Sequence, residues 1–418
     1  MRPFSLNFHA NYRHSYDCFT HIYSKNSFFI AVLIITLWSF TSCVDTTVEI
    51  IDSPSAQFVP KKKPVVRVFL ENSGSMDGFM CDGSELKDGI YNYLTCVQDN
   101  ASKIELYYIN SDTIRQNVTL SQYIKNLNPK AFRDAGGNRS FTQIPDLFTN
   151  VLNHVSEDTI AIYISDCILD IPNHAAPNYL YITRTDMHSV FGNKISSFDN
   201  LSVSIYQLES TFNGTFFFPK GGSQSYSGIL PYYMFVIGSN TQLAKLRKNV
   251  QDDKITHGVK NYCAFSPAFE VPTVLLKGNK AIKTSDVLEL NTKQRDGKFH
   301  FKVKTNLSLS LQNDSVLTNP RNYTNTSPKD IQIEEILPIK VHDTEYSHII
   351  EFSIYDNAFG NIVALNPIPL PSWIKESNDA LGSDIYPDKT FGIEFIIGGI
   401  SDAFNNKSTT SFKLNIKK

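Results

Sequence analysis

The chain has 418 residues, 41% of them hydrophobic and 12% aromatic, with 39 basic against 41 acidic side chains for a formal net charge of -2. That apolar content is enough to bury ordinary cores, which excludes a disordered chain, and the length suggests two folded units. The near balance of charge leaves no long-range field to gather nucleic acid or an anionic membrane surface, so partners must be recognised locally.

Ser27 to Phe40 is an uncharged run, too short to span a bilayer comfortably as a helix but suited to a signal-peptide core. Arg2, Arg13 and Lys25 lie upstream, and Phe40-Thr41-Ser42-Cys43 follows. This resembles a bacterial lipobox, with Phe40 where leucine is usual. The resemblance implies that residues 1–42 are a signal peptide, that Cys43 is acylated, and that the rest lies in the cell envelope on a membrane. An uncleaved signal anchor would also place it outside the cytoplasm. Residues 43–61, with Asp52-Ser53-Pro54-Ser55, read as a lipid-anchored tether ending in a solvated Lys61-Lys62-Lys63 cluster. The remaining cysteines, Cys81, Cys96, Cys167 and Cys263, lack metal spacing; a Cys81–Cys167 disulfide and four free thiols both stay open.

From Pro64, strands and helices alternate. Val65 to Leu70 is a β-rich run, followed by an amphipathic stretch with Leu86, Ile90, Leu94 and Val97 on one face. Ile104 to Ile109 is a second strand, and Ile144, Leu147, Phe148, Val151, Leu152 and Val155 give the clearest helix. Ile160 to Ile164, Leu201 to Leu208 and Tyr232 to Ile237 are strand-length, and Leu243, Leu246 and Val250 mark a closing helix. The pattern predicts a doubly wound α/β domain with a largely parallel sheet over residues 62–252. Residues 253–418 predict a β-rich, sandwich-like domain with one helix near Phe391 to Phe404: Lys298 to Leu311, Ile331 to Lys340 and His348 to Tyr355 are β-type runs. Pro367, Pro369 and Pro371 suit an extended edge or connector.

In such sheets, ligands bind beyond the carboxyl ends of the strands. Three segments bring oxygen donors there: Glu71-Asn72-Ser73-Gly74-Ser75 after the first strand, Thr142 at the start of the clearest helix, and Ser165-Asp166 after Ile164. Gly74 is expected to let the backbone turn between the two serines. Hydroxyls and carboxylates are hard donors suited to Mg²⁺ or Mn²⁺. Residues 64–250 resemble a von Willebrand factor A domain, whose metal-ion-dependent adhesion site reads Asp-x-Ser-x-Ser, then threonine, then aspartate. The resemblance implies that Ser73, Ser75, Thr142 and Asp166 hold the ion, with Glu71 in place of the family's first aspartate. The other reading keeps the fold while the serines cap a turn and a helix. Asp77, Asp82 and Asp170 read as solvated loop acids.

Ser84-Glu85-Leu86-Lys87 has Ser-x-x-Lys spacing, but Ser-Asp-Asn and Lys-Thr-Gly partners and a Gly-x-Ser-x-Gly elbow are missing, so no enzyme is expected. His154 and His174 read as surface or core-edge residues. The sequence thus predicts a cell-envelope lipoprotein that binds a protein partner's acidic residue through an adhesion-type metal site and binds no nucleic acid. Its alternative is a metal-independent structural or assembly factor of an envelope complex.

Overall fold

The β-branched run after Pro64 forms β1 (Val65–Glu71), whose alternation sends Val66, Val68 and Leu70 into one core and Phe69 into another on the opposite face. The chain then continues as α1 (Glu85–Asn100), β2 (Lys103–Ile109), β3 (Thr113–Gln116), α2 (Ile144–Asn153), β4 (Thr159–Ser165) and α3 (Tyr179–Ser197). Next come β5 (Leu201–Phe217), β6 (Ser223–Ser239), α4 (Asn240–Asn249) and β7 (Asn261–Phe265). The structure is a computed structural model describing residues 48–51, 62–139, 143–172, 177–271, 273–276, 281–283, 287–290, 293–340, 345–355, 361–404 and 410–417. The expected signal segment, Cys43, Thr142 and His174 lie outside these residues.

The seven strands form one sheet in the order β3-β2-β1-β4-β6-β5-β7. It is only partly parallel, which corrects the largely parallel sheet expected from the sequence. β1 runs parallel to β2 and β4, whereas β3, β6, β5 and β7 each pair antiparallel with their neighbours. The cause is a long hairpin: Leu201 to Leu208 and Tyr232 to Ile237 are the buried ends of two 17-residue strands, paired from Leu201↔Ser239 to Phe217↔Ser223. Gly221 (φ +94) and Gly222 (φ +92) take the left-handed conformations of its tip. A hairpin reverses the chain without a crossover helix, so the sheet changes polarity at β6.

Helices cover both faces. Leu86, Ile90, Leu94 and Val97 of α1 and Leu243 and Leu246 of α4 share one core, while α2 and α3 pack in the other. α3 escapes a search for a wide apolar stripe because its buried positions are Thr183, Met187 and Phe191 alone. Beside it lies α5 (Ile393–Ala403), the helix expected within the β-rich domain. Its Ile393, Ile396, Ile397 and Ile400 join the α2–α3 core, each contributing about 1.5–3 kcal/mol on burial. Arg184 of α3 clamps Asp402 through Nε (2.6 Å) and a terminal nitrogen (2.9 Å).

Beyond the α/β sheet lie two mainly antiparallel sheets and a short parallel pair, Asn378–Asp379 with Thr390–Phe391. One has the order Thr273–Leu276, Phe299–Thr305, His348–Ile354, Ile331–Pro338. The other includes Val287–Leu290, Thr410–Lys417 and Asn361–Leu365, and Phe352 of the first meets Phe412 of the second with ring centres 6.2 Å apart. Val48–Ile51 is also a strand, pairing with Val287–Leu290 and with Asn415 to Lys417. The stretch read as a tether therefore contains a β-branched Val-Glu-Ile-Ile run that completes a sheet. Residues 366–371, with the three prolines, carry no regular element and connect Asn361–Leu365 to a short helix, Ser372–Glu376.

Candidate functional site

The carboxyl ends of β1 and β4 lie side by side, Leu70 opposite Ile164, because the two strands pair in parallel register. This register brings Glu71, the last residue of β1, beside Ser165 and Asp166. Glu71 is 3% exposed; its Oε2 accepts from Tyr163 Oη at 2.9 Å and from the Ser165 hydroxyl. The Ser73 hydroxyl also bonds to Glu71, Ser73 Oγ lies 2.9 Å from Ser75 Oγ, and Ser75 bonds in turn to Asp166. Four of the five expected metal residues, Glu71, Ser73, Ser75 and Asp166, thus form one hydrogen-bonded chain.

Asp166 is 2% exposed, and its Oδ1 accepts from the Ile168 amide at 3.2 Å. Its Oδ2 is buried with no hydrogen-bond partner among the described residues. Burial raises both carboxyl groups; charge repulsion from Glu71 raises Asp166 further and that from Asp170 raises Glu71, while bonds from Ser165, Ser73 and Tyr163 only partly offset this at Glu71. Asp166 is pushed up to about 8. The chain leaves β4 under strain: Cys167 has φ +56, a left-handed conformation unusual outside glycine, and its amide donates to Ser165 Oγ at 2.7 Å.

Gly74 does not use the conformational freedom expected of it. At φ -64 and ψ -33 it starts a short 3-10 segment, Ser75–Met80, in the ordinary right-handed region. A Cβ there would make ordinary van der Waals contact with the Phe217 ring, 3.4 Å away. Phe217 to Gly222, the hairpin tip, faces the loop across a cleft of about 460 Å³, also lined by Asp170 and Ile171.

Sequence reasoning missed Arg139, which closes the loop. Its Nε donates to Asn72 Oδ1 (2.5 Å) and the Asn72 carbonyl (3.2 Å), and a terminal nitrogen donates to the Ser73 carbonyl (2.8 Å) and to Asp77. Asp77 is therefore an ion-pair partner and not a solvated acid, with Arg133 also 3.8 Å away. No local pattern signals this, since Arg139 stands 62 positions from Asp77. Asp82 is fully exposed, as expected.

The remaining residues fall as follows. Cys81, Cys96, Cys167 and Cys263 are free thiols, which settles the disulfide question in favour of the unpaired reading. Ser84 is buried at the start of α1, and Lys87 pairs at 3.9 Å with Asp82. His154 packs at the core edge against Phe69, the rings tilted by 36° with centres 5.3 Å apart. Among the described residues, no group of three or more His, Cys, Asp or Glu is placed to hold a metal ion, and no helix is long and apolar enough to cross a membrane. Ser73, Ser75 and Asp166 offer hard oxygen donors, the chemistry a divalent cation such as Mg²⁺ takes, and Asp166 Oδ2 has no hydrogen-bond partner among the described residues. The chain matches no protein-family model, no curated protein and no solved structure.

Proposed function

We propose that this protein is a cell-envelope lipoprotein, anchored through Cys43, that acts as a structural or assembly factor. Its α/β part, of the von Willebrand factor A type, docks a protein partner at the carboxyl ends of β1 and β4 without requiring a metal ion. The observation that carries this reading is Arg139. A guanidinium that bonds Asn72, Ser73 and Asp77 at once holds the loop in place with an internal positive charge. Burial raises both carboxyls, Asp166 to about 8, so Asp166 keeps its proton at neutral pH where an ion would otherwise balance it.

The unpartnered Asp166 Oδ2 favours a second reading, an adhesion-type site in which Mg²⁺ or Mn²⁺ replaces that proton. Ser73, Ser75 and Asp166 would hold the ion, with Thr142 as the family's further donor, and Glu71 would orient Ser73. The ion would offer a coordination position to a partner's acidic side chain. One experiment separates the two: affinity capture from envelope extract, with the captured protein identified by mass spectrometry, in EDTA and in millimolar-range Mg²⁺. The metal-independent reading expects the same partner in both buffers, capture lost in folded Arg139→Gln, and melting curves indifferent to metal. Capture that vanishes in EDTA, with a melting temperature that rises with metal and fails to rise in Asp166→Asn, establishes the adhesion-type site instead.

A further inference from the structure

A second cavity, of about 590 Å³, lies between the end of α4 and the β-rich sheets, lined in part by Arg247, Leu317, Ile339 and Tyr346. It shares no residue with the cleft beside Ser73 and Ser75. Asp314, Ser347 and His348 also line it. Ser347 Oγ lies 2.8 Å from His348 Nδ1, and His348 Nε2, buried with no hydrogen-bond partner among the described residues, has Asp314 Oδ1 3.6 Å away. The imidazole tautomer protonated on Nε2 suits the Ser347 contact, since Nδ1 then accepts the hydroxyl proton, and it leaves an Nε2–H near the Asp314 carboxylate, 3.6 Å away and not yet hydrogen-bonded to it.

We propose that Ser347, His348 and Asp314 form a nucleophile–base–carboxylate constellation that hydrolyses a small carboxylic ester in this cavity. The Ser347–His348 contact is within hydrogen-bond reach, and the largely exposed Asp314 carboxylate stands just beyond it, close enough to swing onto Nε2. Ser347 is half-buried on the cavity wall, with its oxygen held by the Ser308 amide at 3.0 Å, which leaves its hydroxyl proton directed at the ring. His348 is 2% exposed, so its ring is fixed, and burial holds its basicity below the ordinary histidine range despite the opposing pull of Asp314. It is therefore neutral, as a base must be, at neutral pH. Asp314 is the positioning group, and Arg247, whose Nε has no partner among the described residues, is the nearby cationic donor.

In the first step Ser347 Oγ bonds to the ester carbonyl carbon as its proton passes to His348 Nδ1. The carbon–alkoxy bond then breaks and the alkoxide takes that proton. Water attacks the acyl-serine, giving its proton through His348, and the Ser347 oxygen–carbon bond breaks. The net change is ester plus water to acid plus alcohol. No sequence motif announced this, because Asp314 precedes Ser347 by 33 positions and only folding brings them together.

The test uses the full chain with p-nitrophenyl acetate and a fluorophosphonate probe. The proposal expects probe adduct on Ser347 by peptide mass spectrometry and hydrolysis reduced about 100-fold or more in Ser347→Ala. Ser347 is only half-buried, so this variant is expected to fold, as circular dichroism would confirm. In Asp314→Asn the acid limb of the pH–rate profile should move to lower pH, because the carboxylate supports the imidazolium. An unlabelled Ser347, with equal hydrolysis by wild type and folded Ser347→Ala, overturns the proposal, as does a pH profile unmoved by Asp314→Asn.

Discussion

Asp166 shows how a single residue couples the site to stability. Its folded value of about 8 lies above the ordinary 3.8, so between these the folded state keeps a proton that the unfolded chain releases. Stability from this group is whole below the lower value and is lost as pH rises through the upper one. Asp166→Asn cannot titrate, so in EDTA its urea midpoint should gain on wild type between about pH 5 and about pH 8. A gap that stays constant over that range would show that Asp166 is already ionised in the fold. The residue types at this site were legible because they lie in short segments at strand ends, where oxygen donors are expected. Arg139 was not: its role depends on reaching Asn72, Ser73 and Asp77, and an arginine in a loop has no local mark of its destination.

Among elements, α5 is the instructive case. Gly398 and Gly399 let it approach α3, and a Cβ on Gly399 would lie 2.6 Å from Met187 Cβ. Gly399→Ala should therefore destabilise by about 1–3 kcal/mol through overpacking, although alanine is the better helix former. Gly192 of α3 has open space around it, so Gly192→Ala should leave stability unchanged or raise it by up to about 1 kcal/mol. Equal melting shifts for the two variants would mean that the α3–α5 contact is loose. The apolar run that makes α5 a helix could be read from the sequence. Its destination could not, because a helix apolar over most of its surface suits any core.

For the whole molecule, Thr47–Lys418 forms one compact unit, and α5 reaches the α/β sheet after the β-rich strands have intervened in the chain. A fragment of residues 62–252 would leave the surface under Ile393, Ile396, Ile397 and Ile400 open to water. It should be poorly soluble or fail to unfold cooperatively, as judged by size-exclusion chromatography and thermal circular dichroism. A soluble fragment with a sharp transition would show that α5 is dispensable. By itself the sequence determined the elements from β1 to β4, apart from the edge strand β3, along with α4 and most of the donors at the strand ends, because strand and helix periodicity and loop chemistry are properties of neighbouring residues. Only the tertiary structure decided the polarity of the sheet at β6, the layer that α5 joins, the closure of the loop by Arg139 and the meeting of Ser347 and His348 with Asp314. Each of these depends on contacts between segments far apart in the chain, whose selection is governed by shape and burial in the assembled core.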